Sequence, residues 1–230
     1  HFSYNKDLPE SILTYDSYCM DAAANGSTGF SMSPVTVYQE GIYLGYRYFD
    51  TFGKKVMFPF GHGLSYTNFE ITNVAASIDK DQEIIRVTAD VRNTGETYSG
   101  QEVVQVYISE PDGKLEKPYQ KLTTFSKTKD LAPGEKQTLA MNFPFSELAS
   151  YDQETASYLI EAGDYLLRVG NSSRNTHVVG KISVPVTIVT EQLTNQLALH
   201  PANQGKIEFL SKGGVSSITY EGEAEEISSS

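Results

Sequence analysis

Glu83-Ile84-Ile85-Arg86-Val87-Thr88-Ala89-Asp90-Val91 is the stretch that decides the fold class. Ile85, Val87, Ala89 and Val91 alternate with Arg86, Thr88 and Asp90, and a period of two sends alternate side chains to opposite faces, one dry and one wet. Thr138 to Phe143 repeats the pattern, with Leu139, Met141 and Phe143 on one side. Val103 to Ile108 is apolar on nearly both faces, which predicts a central strand, and Tyr165 to Val169 and Ile182 to Val189 complete the set. Asn93-Thr94-Gly95, Pro111-Asp112-Gly113, Pro133-Gly134 and Ala162-Gly163-Asp164 supply turns between them. No long helical period separates the strands, as parallel βαβ units would require. The spacing therefore predicts an all-β, antiparallel β-sandwich of the immunoglobulin type.

Upstream of the strands the character differs. Tyr38, Tyr43, Tyr46, Tyr48, Phe49, Phe52, Phe58, Phe60, Tyr66 and Phe69 crowd together with no strand or helix period. Within this block, Val56-Met57-Phe58-Pro59-Phe60-Gly61-His62-Gly63-Leu64-Ser65-Tyr66 reads as a rigid connector. Pro59 fixes its own φ and pushes Phe58 towards extended backbone, while Gly61 and Gly63 are read as allowing angles or close approaches that a side chain forbids. Tyrosine and phenylalanine bury large areas, so docking of this irregular, aromatic-rich N-terminal extension onto a domain surface is the expected role. Stacking on a carbohydrate is the alternative. Arg47, among Tyr46, Tyr48 and Asp50 and near Glu40, has the makings of an interdomain clamp, because a guanidinium can pair with a carboxylate while stacking on rings. His62 reads as a hydrogen-bonded structural histidine.

Before the aromatic block, Pro9, Gly26, Gly29 and Pro34 predict loop, with a short helix near Tyr15 to Ala24. After Thr190 the composition turns polar, ending acidic and serine-rich, with one strand expected near Ile218.

Of 230 residues, 39% are hydrophobic and 20% charged, enough for a packed core. Net charge is −11, which disfavours nucleic acid and anionic membrane surfaces as partners. No apolar run is long enough to span a bilayer, and cytoplasmic and secreted locations both stay open. Cys19 stands alone, so no intrachain disulfide forms. Asn25-Gly-Ser and Asn171-Ser-Ser fit the glycosylation tripeptide. His1, His62, His177 and His200 lack metal-ligand spacing, and no phosphate-cradling glycine loop precedes a helix, so no metal or cofactor is expected. Asp and Glu total 29, and adjacent acids such as Glu225-Glu226 read as solvated charges.

The Phe-Pro-Phe-Gly-His-Gly-Leu-Ser-Tyr connector resembles a motif of glycoside hydrolase family 3, the β-glucosidases and β-xylosidases, where it marks the entry to a fibronectin type III-like domain. Further matches follow in order. Gln39 to Asp50 looks like the family's preceding segment. Val91-Arg92-Asn93-Thr94-Gly95 with Ser99 to Tyr107 is similar to the second and third strands. Leu131 to Glu135, Ala162 to Tyr165 and Val169 to Arg174 resemble later turns and a strand end. The resemblance implies four parts: 1–33 as the tail of a preceding α/β sandwich domain, 34–69 as the aromatic connector, 70–190 as the fibronectin type III-like domain, and 191–230 as a polar extension or linker. It implies an interdomain motif of Glu40, Gly41, Tyr46, Arg47, Tyr48, Phe58, Pro59, Phe60, Gly61, His62, Gly63, Ser65 and Tyr66. The family's catalytic aspartate and glutamate lie in other domains and match nothing here, so the resemblance implies a non-catalytic portion of a retaining enzyme, partnered by its remaining catalytic domains.

Overall fold

The computed structural model describes residues 39–196, 209–213 and 224–227. The helix expected near Tyr15 to Ala24 and the strand expected near Ile218 lie outside the described residues.

The described chain opens with a short helix, α1 (Tyr46–Thr51), inside the block where no period is readable. Strands β1 (Phe69–Asp79), β2 (Ile84–Asn93), β3 (Val103–Ser109), β4 (Lys121–Lys127) and β5 (Lys136–Pro144) follow. A 3₁₀ turn at Phe145–Leu148 leads to β6 (Ser150–Asp152), β7 (Ser157–Ile160), β8 (Gly163–Ser172), β9 (Asn175–Val184) and β10 (Ile188–Gln192). All pairings between these strands are antiparallel.

One sheet has the order β1-β2-β5 and the other β4-β3-β8-β9. Register puts Val87 opposite Met141 and Ile85 opposite Phe143, so the apolar sets of β2 and β5 share a face. That face closes on Val104, Val106, Leu167 and Ile182 of the second sheet, and the two form one core. The expected antiparallel β-sandwich is what the chain builds. Tyr165, fully buried there, donates its hydroxyl to the Glu161 carbonyl at 3.0 Å, which satisfies the one polar atom of the ring.

The stretch Ile182 to Val189 does not form one strand. β9 ends at Val184 and β10 begins at Ile188, with Pro185 between them. Proline lacks the N–H a ladder needs, and beyond it the chain joins a separate small sheet of order β10-β7-β6.

The β3–β4 loop is pinned by a buried ion pair, Lys117 with Glu161. Glu161 also accepts the Lys114 N–H at 2.7 Å and the Leu115 N–H at 3.3 Å. Burial alone raises a carboxyl's pKa; here the Lys117 hydrogen bond and charge, with the two backbone donors, outweigh it and hold Glu161 below its usual range. Finally, residues 224–227 lie along β9. Lys181 donates its N–H to the Glu225 carbonyl (2.9 Å) and Ile227 donates to the Lys181 carbonyl (2.8 Å), a parallel bridge of Lys181 with Glu226. Ile227 is buried, and a Cβ added at Gly180 would sit 2.7 Å from its Cγ1.

Candidate docking surface

In most sandwiches the outward side chains of a sheet meet water. On β3 they do not. Gln105 and Tyr107 point away from the core but are buried, because α1 and the turn 56–66 form a third layer over them.

The geometry of α1 comes from its two ends. Gly45 precedes it at φ 61°, and Gly53 follows at φ 60°. Lys54 donates its N–H to the Phe49 carbonyl at 2.9 Å and Gly53 donates to Asp50 at 3.4 Å, a Schellman stop that needs the left-handed glycine. Arg174, in the β8–β9 turn, then grips the open end. Its Nε donates to Asp50 Oδ1 at 2.9 Å, and a second nitrogen reaches the Phe49 carbonyl (3.2 Å) and the Lys54 carbonyl. A cation at a helix C-terminus also meets the negative end of its dipole. Thr51 Oγ1 accepts the Tyr119 N–H (2.8 Å), and Gln120 reaches Asp50 and the Ser173 carbonyl.

Tyr46 stacks on Phe60 with ring centroids 4.8 Å apart, meets Tyr107 edge-on at 5.9 Å, and its hydroxyl accepts the Leu122 N–H at 2.8 Å. Tyr48 is buried against Phe52. Burial holds the Tyr107 phenol above its ordinary pKa, so it stays protonated and donates to Gln105 Oε1 at 2.5 Å. Gln105 Nε2 donates in turn to the Asn171 carbonyl at 2.8 Å. Gly61 lies on this amide: its φ is 83°, and an added Cβ would come within 2.2 Å of Gln105 Nε2. The Phe60 carbonyl accepts the Ser173 N–H at 2.8 Å. Asn171 donates to Glu102 (3.2 Å) and accepts from Asn175 (2.7 Å), so the Asn171-Ser-Ser tripeptide is engaged internally.

The Glu40 carbonyl accepts the Tyr43 N–H (2.9 Å), and Gly41 turns the chain at φ 56°. The Pro59 carbonyl accepts the His62 N–H at 3.1 Å, and the exposed Phe58 and His62 rings stack at 5.0 Å. Ser65 Oγ accepts the Thr67 N–H at 3.2 Å, and Tyr66 leans on Tyr98 at 6.0 Å. One expectation changes. Gly63 has no positive φ, and an added Cβ meets nothing within 4 Å among the described residues, so only Gly61 of the pair needs to be glycine. Arg47 is half-buried and makes no ion pair among the described residues; the arginine that holds Asp50 is Arg174. Arg174, Gln105, Gln120 and Thr51 are the anchors sequence reading misses. Gln105 alone leaves a trace, a polar residue inside the apolar run Val103 to Ile108.

What α1 hides, the following turn shows. Met57, Phe58, Phe60, Leu64 and Tyr66 are all exposed, with Leu64 and Tyr66 each at 92%. No Asp, Glu, Lys or Arg interrupts residues 56–66 in a chain of net charge −11.

The family model of the fibronectin type III-like domain matches residues 102–173. A β-glucosidase of Ruminococcus albus is 42% identical over 175 residues, 74% of this chain and 18% of that protein. The crystal structure of a β-glucosidase from Paenibacillus barengoltzii superposes with a TM-score of 0.65 at 41% identity, over 73% of this chain and 20% of that one. An exo-α-(1→6)-L-arabinopyranosidase of Bifidobacterium longum is 40% identical over 138 residues, 60% of this chain and 18% of its own length. The chain thus spans about a fifth of the length of these relatives.

Proposed function

We infer that this chain, the fibronectin type III-like portion of a family 3 β-glucosidase-type glycoside hydrolase, is a non-catalytic buttress that docks onto the enzyme's catalytic domains through its aromatic connector. The enzyme as a whole hydrolyses terminal β-linked sugars with retention, and the two carboxylates this needs across the scissile bond belong to its other domains. Residues 1–33 are the tail of a preceding α/β domain, 34–69 the connector, 70–190 the sandwich and 191–230 a polar extension.

One observation carries this reading: the apolar turn 57–66, seated on the sandwich by Gly61 and Phe60 and preceded by the Arg174-held helix, yet presenting its large side chains outward. A surface of this kind marks an interaction site. His62 and Ser65 lie within it, Glu40, Gly41 and Arg47 complete the motif from the segment upstream, and Arg47 supplies the interdomain ion pair. The same portion occurs in a relative named for a different glycoside, which favours a supporting role over selection of the sugar. Carbohydrate binding by the exposed rings, without catalysis, is the second reading.

The test is hydrolysis of chromogenic β-glucoside and β-xyloside by the purified chain, alone and mixed with the separately produced remainder of the enzyme. No turnover alone, and association on mixing, are expected. Turnover by the chain alone that survives repurification would overturn the assignment, and sugar affinity without association would favour the carbohydrate module.

A further inference from the structure

We propose that the docking face extends past the connector onto the sandwich itself, with Phe125 of β4 and Tyr98 of the β2–β3 loop as anchors for the rest of the enzyme. This rests on the buttress reading above and deepens it.

Phe125 is the register partner of Gln105, so the two side chains leave the sheet on the same face. Gln105, beneath Gly61, is 4% exposed, whereas Phe125, one strand further out, is 64% exposed. The connector layer therefore reaches β4 only at its start, where Tyr46 takes the Leu122 N–H, and leaves the Phe125 ring bare. Tyr98 is 57% exposed and lies against Tyr66, at the other boundary of the turn. A ring beside Gly61 and a ring beside Tyr66 thus continue the apolar turn onto the domain. Lys127 on β4, two positions from Phe125 and on the same face, with Glu96 and Glu102 close to Tyr98 in sequence, gives the charged surroundings expected outside an aromatic centre.

The occupant is set by chemistry and by length. A surface with no charge across 56–66 suits an apolar protein face, and the relatives carry about four-fifths of their length beyond the part this chain matches.

The experiment titrates the chain with the separately produced remainder of its own enzyme, following association by calorimetry and oligomeric state by light scattering. Phe125→Ser and Tyr98→Ser should each weaken binding at least about tenfold, the scale of an interfacial anchor, with thermal unfolding of the free chain unchanged because both rings are exposed. Tyr151→Ser, an exposed ring on β6, should leave binding unchanged. If the wild-type chain binds and both anchor variants bind equally well, the extension is wrong while the buttress reading stands. If the wild-type chain does not bind at all, the buttress reading falls and takes the extension with it. If the variants abolish only self-association, a second copy is the occupant and the proposal is overturned.

Discussion

On the three-stranded sheet, the outward positions of β2 and β5 include Thr88, Asp90, Arg92, Lys136 and Thr138; on the four-stranded sheet the outward positions of β3 and β4 include Gln105, Tyr107 and Phe125. The first set is finished by itself. Asp90 accepts from Lys136 (2.7 Å), Thr138 (2.5 Å) and Asn73 (2.8 Å), a polar ladder that needs only water above it. The second set is unfinished until something apolar lies on it, and the connector does so for Gln105 and Tyr107 but not for Phe125. One sheet of this sandwich is built to face solvent, the other to be the middle layer of something larger.

The strongest check starts from what the sheets share. Phe143→Ala removes an inner-face ring and should cost ~3–5 kcal/mol, read as a fall in the urea midpoint. If it costs no more than an outer-face change, the core is not where the stability lies. Next, Tyr107→Phe strips the buried Gln105 Oε1 of its donor and should cost about 1–3 kcal/mol, while Thr88→Ala on the opposite outer face should stay within ~0.5 kcal/mol. Equal effects would erase the difference between the faces. Gly61→Ala forces a left-handed alanine onto Gln105 and should cost about 1–2 kcal/mol, with hydrogen exchange rising over 46–66 and not over β2 and β5. Uniform loss of protection would mean that the connector and sandwich unfold as one unit. The smallest effect concerns acid. Lys136, then Thr138 and Asn73, hold the Asp90 carboxyl well below its usual range. A depressed folded-state pKa contributes stability above the unfolded value of roughly 3.9 and loses it as pH falls through the folded one. Asp90→Asn should therefore flatten the stability curve below about pH 4 and leave it unchanged in shape near neutrality, as followed by urea titration at stepped pH.

The same contrast explains what the sequence could reveal. β2 and β5 carry a clean period of two because they have one dry face and one wet face. β3 reads correctly as doubly buried, although its second cover is the connector and not another sheet. β1 hides its pattern behind the irregularity at Asn73, where φ is 50° and the register shifts. β4, at the sheet's edge, has few apolar residues, and β6 and β7 are too short to show a period. In the docking layer the aromatic residues were legible as a block, but their anchors were not. Arg174 meets Asp50 from 124 positions away, and nothing local to either residue announces the pair. Asp50 has Arg47 three positions away, yet its partner is Arg174, because proximity along the chain is not proximity in space.

The segment 224–227 closes a door. β9 is the outermost strand of its sheet, and an outermost strand offers its free N–H and carbonyl groups to any passing chain. By laying Glu225 and Ile227 across Lys181 and pressing Ile227 onto Gly180, the protein occupies part of that edge with its own polypeptide. A chain that leaves one sheet face open for an apolar neighbour thereby withholds the backbone edge where indiscriminate strand addition would begin.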